Sequence, residues 1–175
     1  MVTDRDAVLR FLREHGAPGI PHPGGTLYEH LQRVAALLAE WGGDEDVAVA
    51  GLCHATYGTD GFDRSLLDVR ERAELRAVAG ERAERLVYLY GCLDRDVTYP
   101  RLGDREVVVR DRFTGTEHAP SEVDIRAIVE ITAANELDVL AHNEDLARRY
   151  REPLTRLFER CRDRLSVSAR VAWLG

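Results

Sequence analysis

Apolar residues recur at three- and four-residue spacing through most of the chain, a period that predicts helices. Leu27, Leu31, Val34, Leu37, Leu38 and Trp41 fall on one face of a segment that Thr26 opens and Gly42-Gly43 ends. Before it, Val8, Leu9, Phe11 and Leu12 mark a first helix from a Thr3 cap to about Glu14, and His15 to Gly19 stops it. The stretch from Ile20 to Gly25, with two prolines and a glycine pair, is expected to be irregular. Asp44 or Asp46 opens the next helix, which carries Val47, Ala50, Gly51 and His54 on one side. A loop from Tyr57 to Phe62 precedes two further helices, around Leu66 to Val78 and from Glu81 to about Leu93.

Between Asp94 and Pro120 the period changes. Val97-Thr98-Tyr99-Pro100 and Glu106-Val107-Val108-Val109-Arg110 read as short strands around a Leu102-Gly103-Asp104 turn, a small hairpin near residues 96–113. Ser121 then caps a long helix bearing Ile125, Ile128, Val129, Thr132, Val139 and Leu140. A last helical stretch, broken or kinked at Pro153, carries Leu154, Leu157, Phe158 and Leu165. The pattern predicts a mainly all-α bundle of about six to eight helices with a small β-hairpin, in one domain spanning the chain.

Composition narrows the partners. A net charge of −7 argues against a nucleic-acid partner held through phosphates. No apolar run approaches the roughly 20 residues of a membrane span, and the first residues do not read as a targeting signal, so a soluble cytoplasmic protein is expected. All 24 basic residues are arginine, which excludes Schiff-base lysine chemistry and a P-loop. Cys53, Cys92 and Cys161 are widely spaced with no C-x-x-C, as expected of reduced core thiols rather than a disulfide framework or zinc knuckle.

The candidate chemistry lies in histidines. His30 shares the inward stripe with Leu27 and Val34, and His54 closes the inward face of the next helix. A histidine on an apolar face is usually a hydrogen-bonded core residue, so neither one alone argues for a site. Arg70, Arg95, Arg110 and Arg112 offer forked donors for an anion. Arg110 and Arg112 are singled out because a hairpin beside a helical pocket could act as its lid.

Gly25-Thr26-Leu27-Tyr28-Glu29-His30, Leu38-Ala39-Glu40-Trp41-Gly42 and Ala50-Gly51-Leu52-Cys53-His54 together resemble the HD superfamily, especially its alarmone hydrolases. More weakly, Ala134-Asn135 through Asp138 extends the resemblance, and His54-Ala55 followed by Tyr57-Gly58-Thr59 is similar to a divergent branch. The resemblance implies an HD-like bundle in which two histidines, an aspartate after the second and a distant aspartate hold a divalent metal that activates water. Carried over by position, the histidines are His30 and His54, the adjacent carboxylate falls on Ala55 and the distal one on Asn135. Two of the four ligands are thus replaced.

His22 could add a third imidazole, giving with His30, His54 and Asp138 a set suited to zinc, iron or manganese. Asp60, in the loop after His54, is the other carboxylate tied to a motif position. On this reading His54, Asp60 and Tyr57 carry the chemistry and Arg110, Arg112 and Asn135 bind substrate. The bland readings are a turn-forming Asp60, a core Tyr57, a solvated His22, and an Asn135–Asp138 pair that only stitches helices together. The expected function is metal-assisted hydrolysis of a small polar or anionic metabolite. Alternatives are a non-catalytic ligand-binding protein and a lyase or oxygenase on the same fold. The expected partner is a small-molecule substrate, with neither nucleic acid nor membrane, and a homodimer is compatible with the pattern.

Overall fold

Thr26 and Glu29 form a reciprocal cap at the start of the helix Leu27–Glu40: the Glu29 backbone N–H donates to Thr26 Oγ1, and the Thr26 N–H donates to Glu29 Oε2 at 2.8 Å. The same logic starts most of the helices in this computed structural model, which describes residues 3–175. Asp4, Asp44, Asp94, Ser121, Asn143 and Ser166 each accept a backbone N–H of the first turn they precede.

The helices among the described residues are α1 (Arg5–Glu14), α2 (Leu27–Glu40), α3 (Glu45–Cys53), α4 (Arg72–Ala79), α5 (Glu81–Gly91), α6 (Arg95–Thr98), α7 (Glu122–Ala141), α8 (Glu144–Arg160) and α9 (Val167–Leu174). Two minimal antiparallel hairpins interrupt them: β1 (Pro21–His22) with β2 (Gly25–Thr26), and β3 (Val109–Arg110) with β4 (Glu117–His118). The protein is therefore a helical bundle with a small hairpin, and no helix among the described residues is long and apolar enough to cross a membrane.

α7 is the axis. Buried residues occur all round it, from Ile125 to Leu140, because α2, α3, α5, α8 and α9 pack against its different sides. α2 lies against α3 so closely that a Cβ at Gly51 would collide with Leu38 Cδ1. That contact sets the helix that ends at His54 directly on the helix that carries His30. α8 runs through Pro153 without interruption and lays Leu154, Leu157 and Phe158 against the core.

Asp4 rather than Thr3 caps α1, α4 begins at Arg72 rather than around Leu66, and three further stretches differ. The Ile20–Gly25 stretch is not irregular: Gly24 at φ 83° and Gly25 at φ 133° turn the chain sharply enough for Pro21 to pair with Thr26. Val97–Pro100 is helical, because Asp94 Oδ1 accepts the Val97 N–H and outweighs the β-branched residues that follow. The hairpin uses Val109–Arg110 but pairs it with Glu117–His118, closed by the Asp111 turn.

Candidate functional site

The contact between α2 and α3 brings the rings of His30 and His54 to 5.3 Å, centroid to centroid. The β1–β2 hairpin folds His22 flat onto His30, with centroids 3.9 Å apart. A cavity of about 740 Å³ opens beside this group. His22 and His54 line it and His30 lies behind them, fully buried.

The two inner histidines are held differently. The His30 Nδ1–H donates to Asp138 Oδ2 at 2.6 Å, and its Nε2 is hydrogen-bonded to Asn135 Oδ1 at 3.0 Å, so both ring nitrogens are committed. Asp138 also accepts two bonds from the Arg33 guanidinium, at 2.7 and 3.0 Å. Burial alone would raise the Asp138 carboxyl, but the bonds from His30 and Arg33 outweigh it and hold the group at about 2. His54 donates only once, from Nδ1–H to the Gly51 carbonyl at 2.7 Å. Burial, and then the His30 ring, push the imidazole down to about 3, so it is neutral and its Nε2 lone pair is free. His22 falls to about 4 for the same two reasons, and its Nδ1 is buried with no hydrogen-bond partner.

Across the cavity stands Arg95, the first residue of α6. Its backbone N–H donates to Asp60 Oδ2 at 2.8 Å, which ties the loop after His54 to α6. Its guanidinium, 20% exposed, makes two long bonds: Nη1 to Glu136 Oε1 at 3.4 Å and Nη2 to the Tyr90 hydroxyl at 3.3 Å. A guanidinium has five N–H donors, so most of this one remains unused. Burial raises the Glu136 carboxyl, and the Arg95 charge opposes this without reversing it.

The candidate residues therefore divide. His22, His54, Asp60 and Asn135 line the cavity. Asp138 supports His30 from behind and is filled by His30 and Arg33. Tyr57 turns away from the cavity and donates to Glu84 at 2.9 Å. Arg110 lies on the outer hairpin near Asp94, and Arg112 donates to the Gly91 carbonyl and lies over Phe113. Neither reaches the cavity, because the hairpin packs beside α6 rather than over the opening. Glu136, Tyr90 and Tyr99 entered no motif. Arg95 was one anion-binding candidate among several, and the Asp94 cap immediately before it was the signal that would have placed it at a helix start.

A divalent metal of the kind the HD resemblance implies can be tested against these donors. His30 has both ring nitrogens committed, but the tautomer of His54 does suit it, since its Nδ1–H is anchored on oxygen as in metal-ligating imidazoles. The charges do not. Ala55 stands at the adjacent-carboxylate position, Asn135 is neutral, Asp138 is occupied, and the guanidinium of Arg95 lines the same space. The residues present do not fit an HD-type dication.

Residues 11–95 match the model of a family described as a domain of unknown function, DUF6817. The matched span contains all three clustered histidines, Asp60 and Arg95, and ends before Asn135, Glu136 and Asp138. Comparisons with curated proteins and with solved structures found no match.

Proposed function

We propose that the chain is a divergent HD-like enzyme that takes a small anionic metabolite into the cavity beside His54. Arg95 holds the anion and His54 Nε2 moves the proton. The observation that carries this reading is the pairing of an unprotonated, backbone-fixed imidazole with an under-used guanidinium in the wall of one cavity. A base held at about 3 is weak, but that value belongs to a site without a neighbouring anion. A substrate charge beside the ring raises it, so the imidazole gains basicity only when substrate is in place. The supported chemistry is proton abstraction from a water or from the substrate itself, giving hydrolysis or elimination.

Turnover of a panel of anionic metabolites, followed by mass spectrometry of depleted and formed species, tests it. His54→Ala should abolish turnover and leave anion-induced thermal stabilisation in place, whereas Arg95→Met should abolish both. Turnover that survives His54→Ala would end the proton-transfer role. A second reading, a binding protein without turnover, is favoured by the non-ligating Ala55 and Asn135, and predicts Arg95-dependent stabilisation with no product. Metal-assisted hydrolysis would be reinstated by zinc, iron or manganese that co-purifies stoichiometrically with the wild type and is lost in His54→Ala.

A further inference from the structure

We infer that the cavity selects an amphipathic monoanion, a carboxylate carried on an apolar chain or ring, and rejects polyphosphates. This deepens the reading of the site as anion-binding and rests on it.

The cavity wall carries two kinds of chemistry. Its polar part includes His22, His54, Asn135, Glu136 and Arg95, of which Arg95, Glu136 and Asn135 are joined by hydrogen bonds. Leu27, Val139 and Leu140, with Pro153, Leu154 and Leu157 of α8, supply a second, apolar part of the wall. A wholly polar ligand would leave that second wall facing water. A ligand with a hydrocarbon body covers it and gains about 25 cal/mol for each Å² removed from water.

Charge decides how many anionic groups the head can carry. Among the side chains lining the cavity, Arg95 and Arg160 are basic, whereas Asp60, Asp96 and Glu136 are acidic. Arg160, Asp60 and Asp96 are all solvent-exposed, so the enclosed part of the cavity offers one cation, already sharing its charge with Glu136 at 3.4 Å. A diphosphate or triphosphate needs several cations or a metal to offset its charge, and here it would meet a single enclosed guanidinium that already has a carboxyl beside it. One carboxylate suits what is present. Its two oxygens match the planar fork of Arg95, whose remaining N–H groups are free, and its single charge balances a single inner cation.

Calorimetric titration of the wild-type protein with octanoate, 3-phenylpropionate, octanol, GDP and inorganic pyrophosphate reads this directly. At least one carboxylate should bind about tenfold or more tighter than octanol, the factor expected for a hydrogen bond to a charged partner. GDP and pyrophosphate should bind more weakly than that carboxylate. Arg95→Met should bring the carboxylate down to the level of octanol, and Leu154→Asp should weaken both of those ligands together. GDP or pyrophosphate binding tighter than both carboxylates, or failure of both carboxylates to bind, overturns the inference. An Arg95-dependent polyphosphate would leave the anion site intact while refuting its selectivity; the loss of all Arg95-dependent anion binding would remove the underlying reading as well. The wild-type comparison of carboxylate, alcohol and diphosphate stands even if a variant fails to fold.

Discussion

Two clusters in this molecule are built from the same parts and behave in opposite ways. Around Glu84, 1% exposed, Arg72 donates at 2.7 and 3.0 Å, Tyr57 donates at 2.9 Å and Arg76 adds a contact at 3.4 Å, so both carboxylate oxygens are filled. Around Glu136, Arg95 and Asn135 each donate at 3.4 Å and both bonds fall on the same oxygen. Burial is the largest influence on each carboxyl. It loses at Glu84, which is lowered by Arg72 and Tyr57, and wins at Glu136, which is raised. A buried carboxylate, arginine and tyrosine make a fastening when the hydrogen bonds are short and complete. The same groups leave donors unspent when the bonds are long and a cavity lies beside them.

The largest expected effect is at the closed cluster. Glu84→Gln keeps the shape but leaves Arg72 and Arg76 without a counter-charge, and should cost about 3 kcal/mol of unfolding free energy. Urea denaturation with an unchanged slope would measure it, and a loss indistinguishable from zero would dissolve the contrast. Because Glu84 is lowered, its stabilisation is present above the ordinary carboxyl value of 4.5 and fades as pH falls below it.

A different pH window belongs to the open side. His54 and His22 lie below their ordinary 6.5, at about 3 and about 4. Between those values and 6.5 the unfolded chain binds protons that the folded chain refuses, so stability falls as pH is lowered from 6.5. His54, being buried, should contribute roughly 1 to 2 kcal/mol of that loss by about pH 5. His54→Gln should flatten the decline in this range without altering the Glu84-dependent loss at lower pH. An unchanged slope between pH 6.5 and 5 would mean that His54 is not the acid-sensitive group.

How much of this contrast could be read from residues alone follows from the range of the interactions. The caps at Thr26 and Ser121, the apolar stripe of α2 and the inward placement of His30 and His54 depend on neighbours within a few positions, and they were legible. The His30–Asp138 and Tyr57–Glu84 bonds join residues 108 and 27 positions apart, and spacing does not say which side of a helix will face which partner. Asp138 therefore read as a metal ligand and Tyr57 as a site donor, whereas the structure bonds Asp138 to His30 and Arg33 and Tyr57 to Glu84. Arg95 was hidden for another reason: the Asp94 cap could place it at a helix start, but among 24 arginines nothing in the spacing says which guanidinium is enclosed. A strand at Val97–Pro100 would have set the hairpin arginines, not α6, beside the bundle.

The smallest expected effect sharpens the comparison most. Glu136→Gln is the same substitution as Glu84→Gln at a carboxyl 13% rather than 1% exposed, and its stability change at neutral pH should stay within about 1 kcal/mol. The reason is the sign of the shift. A carboxyl raised by burial is less stable in its charged form than in the unfolded chain, so its ionisation opposes folding and its removal releases that cost. The gain is partly cancelled because the Arg95 guanidinium loses its nearest counter-charge. What remains should appear in binding: with Glu136 neutral, Arg95 no longer shares its charge, and a monoanion such as octanoate should bind several-fold tighter, by a factor on the order of 3 to 10. Tighter anion binding at nearly constant urea midpoint would mark Glu136 as the group that tunes the open cluster. A loss of stability as large as that at Glu84 would show instead that both clusters are fastenings.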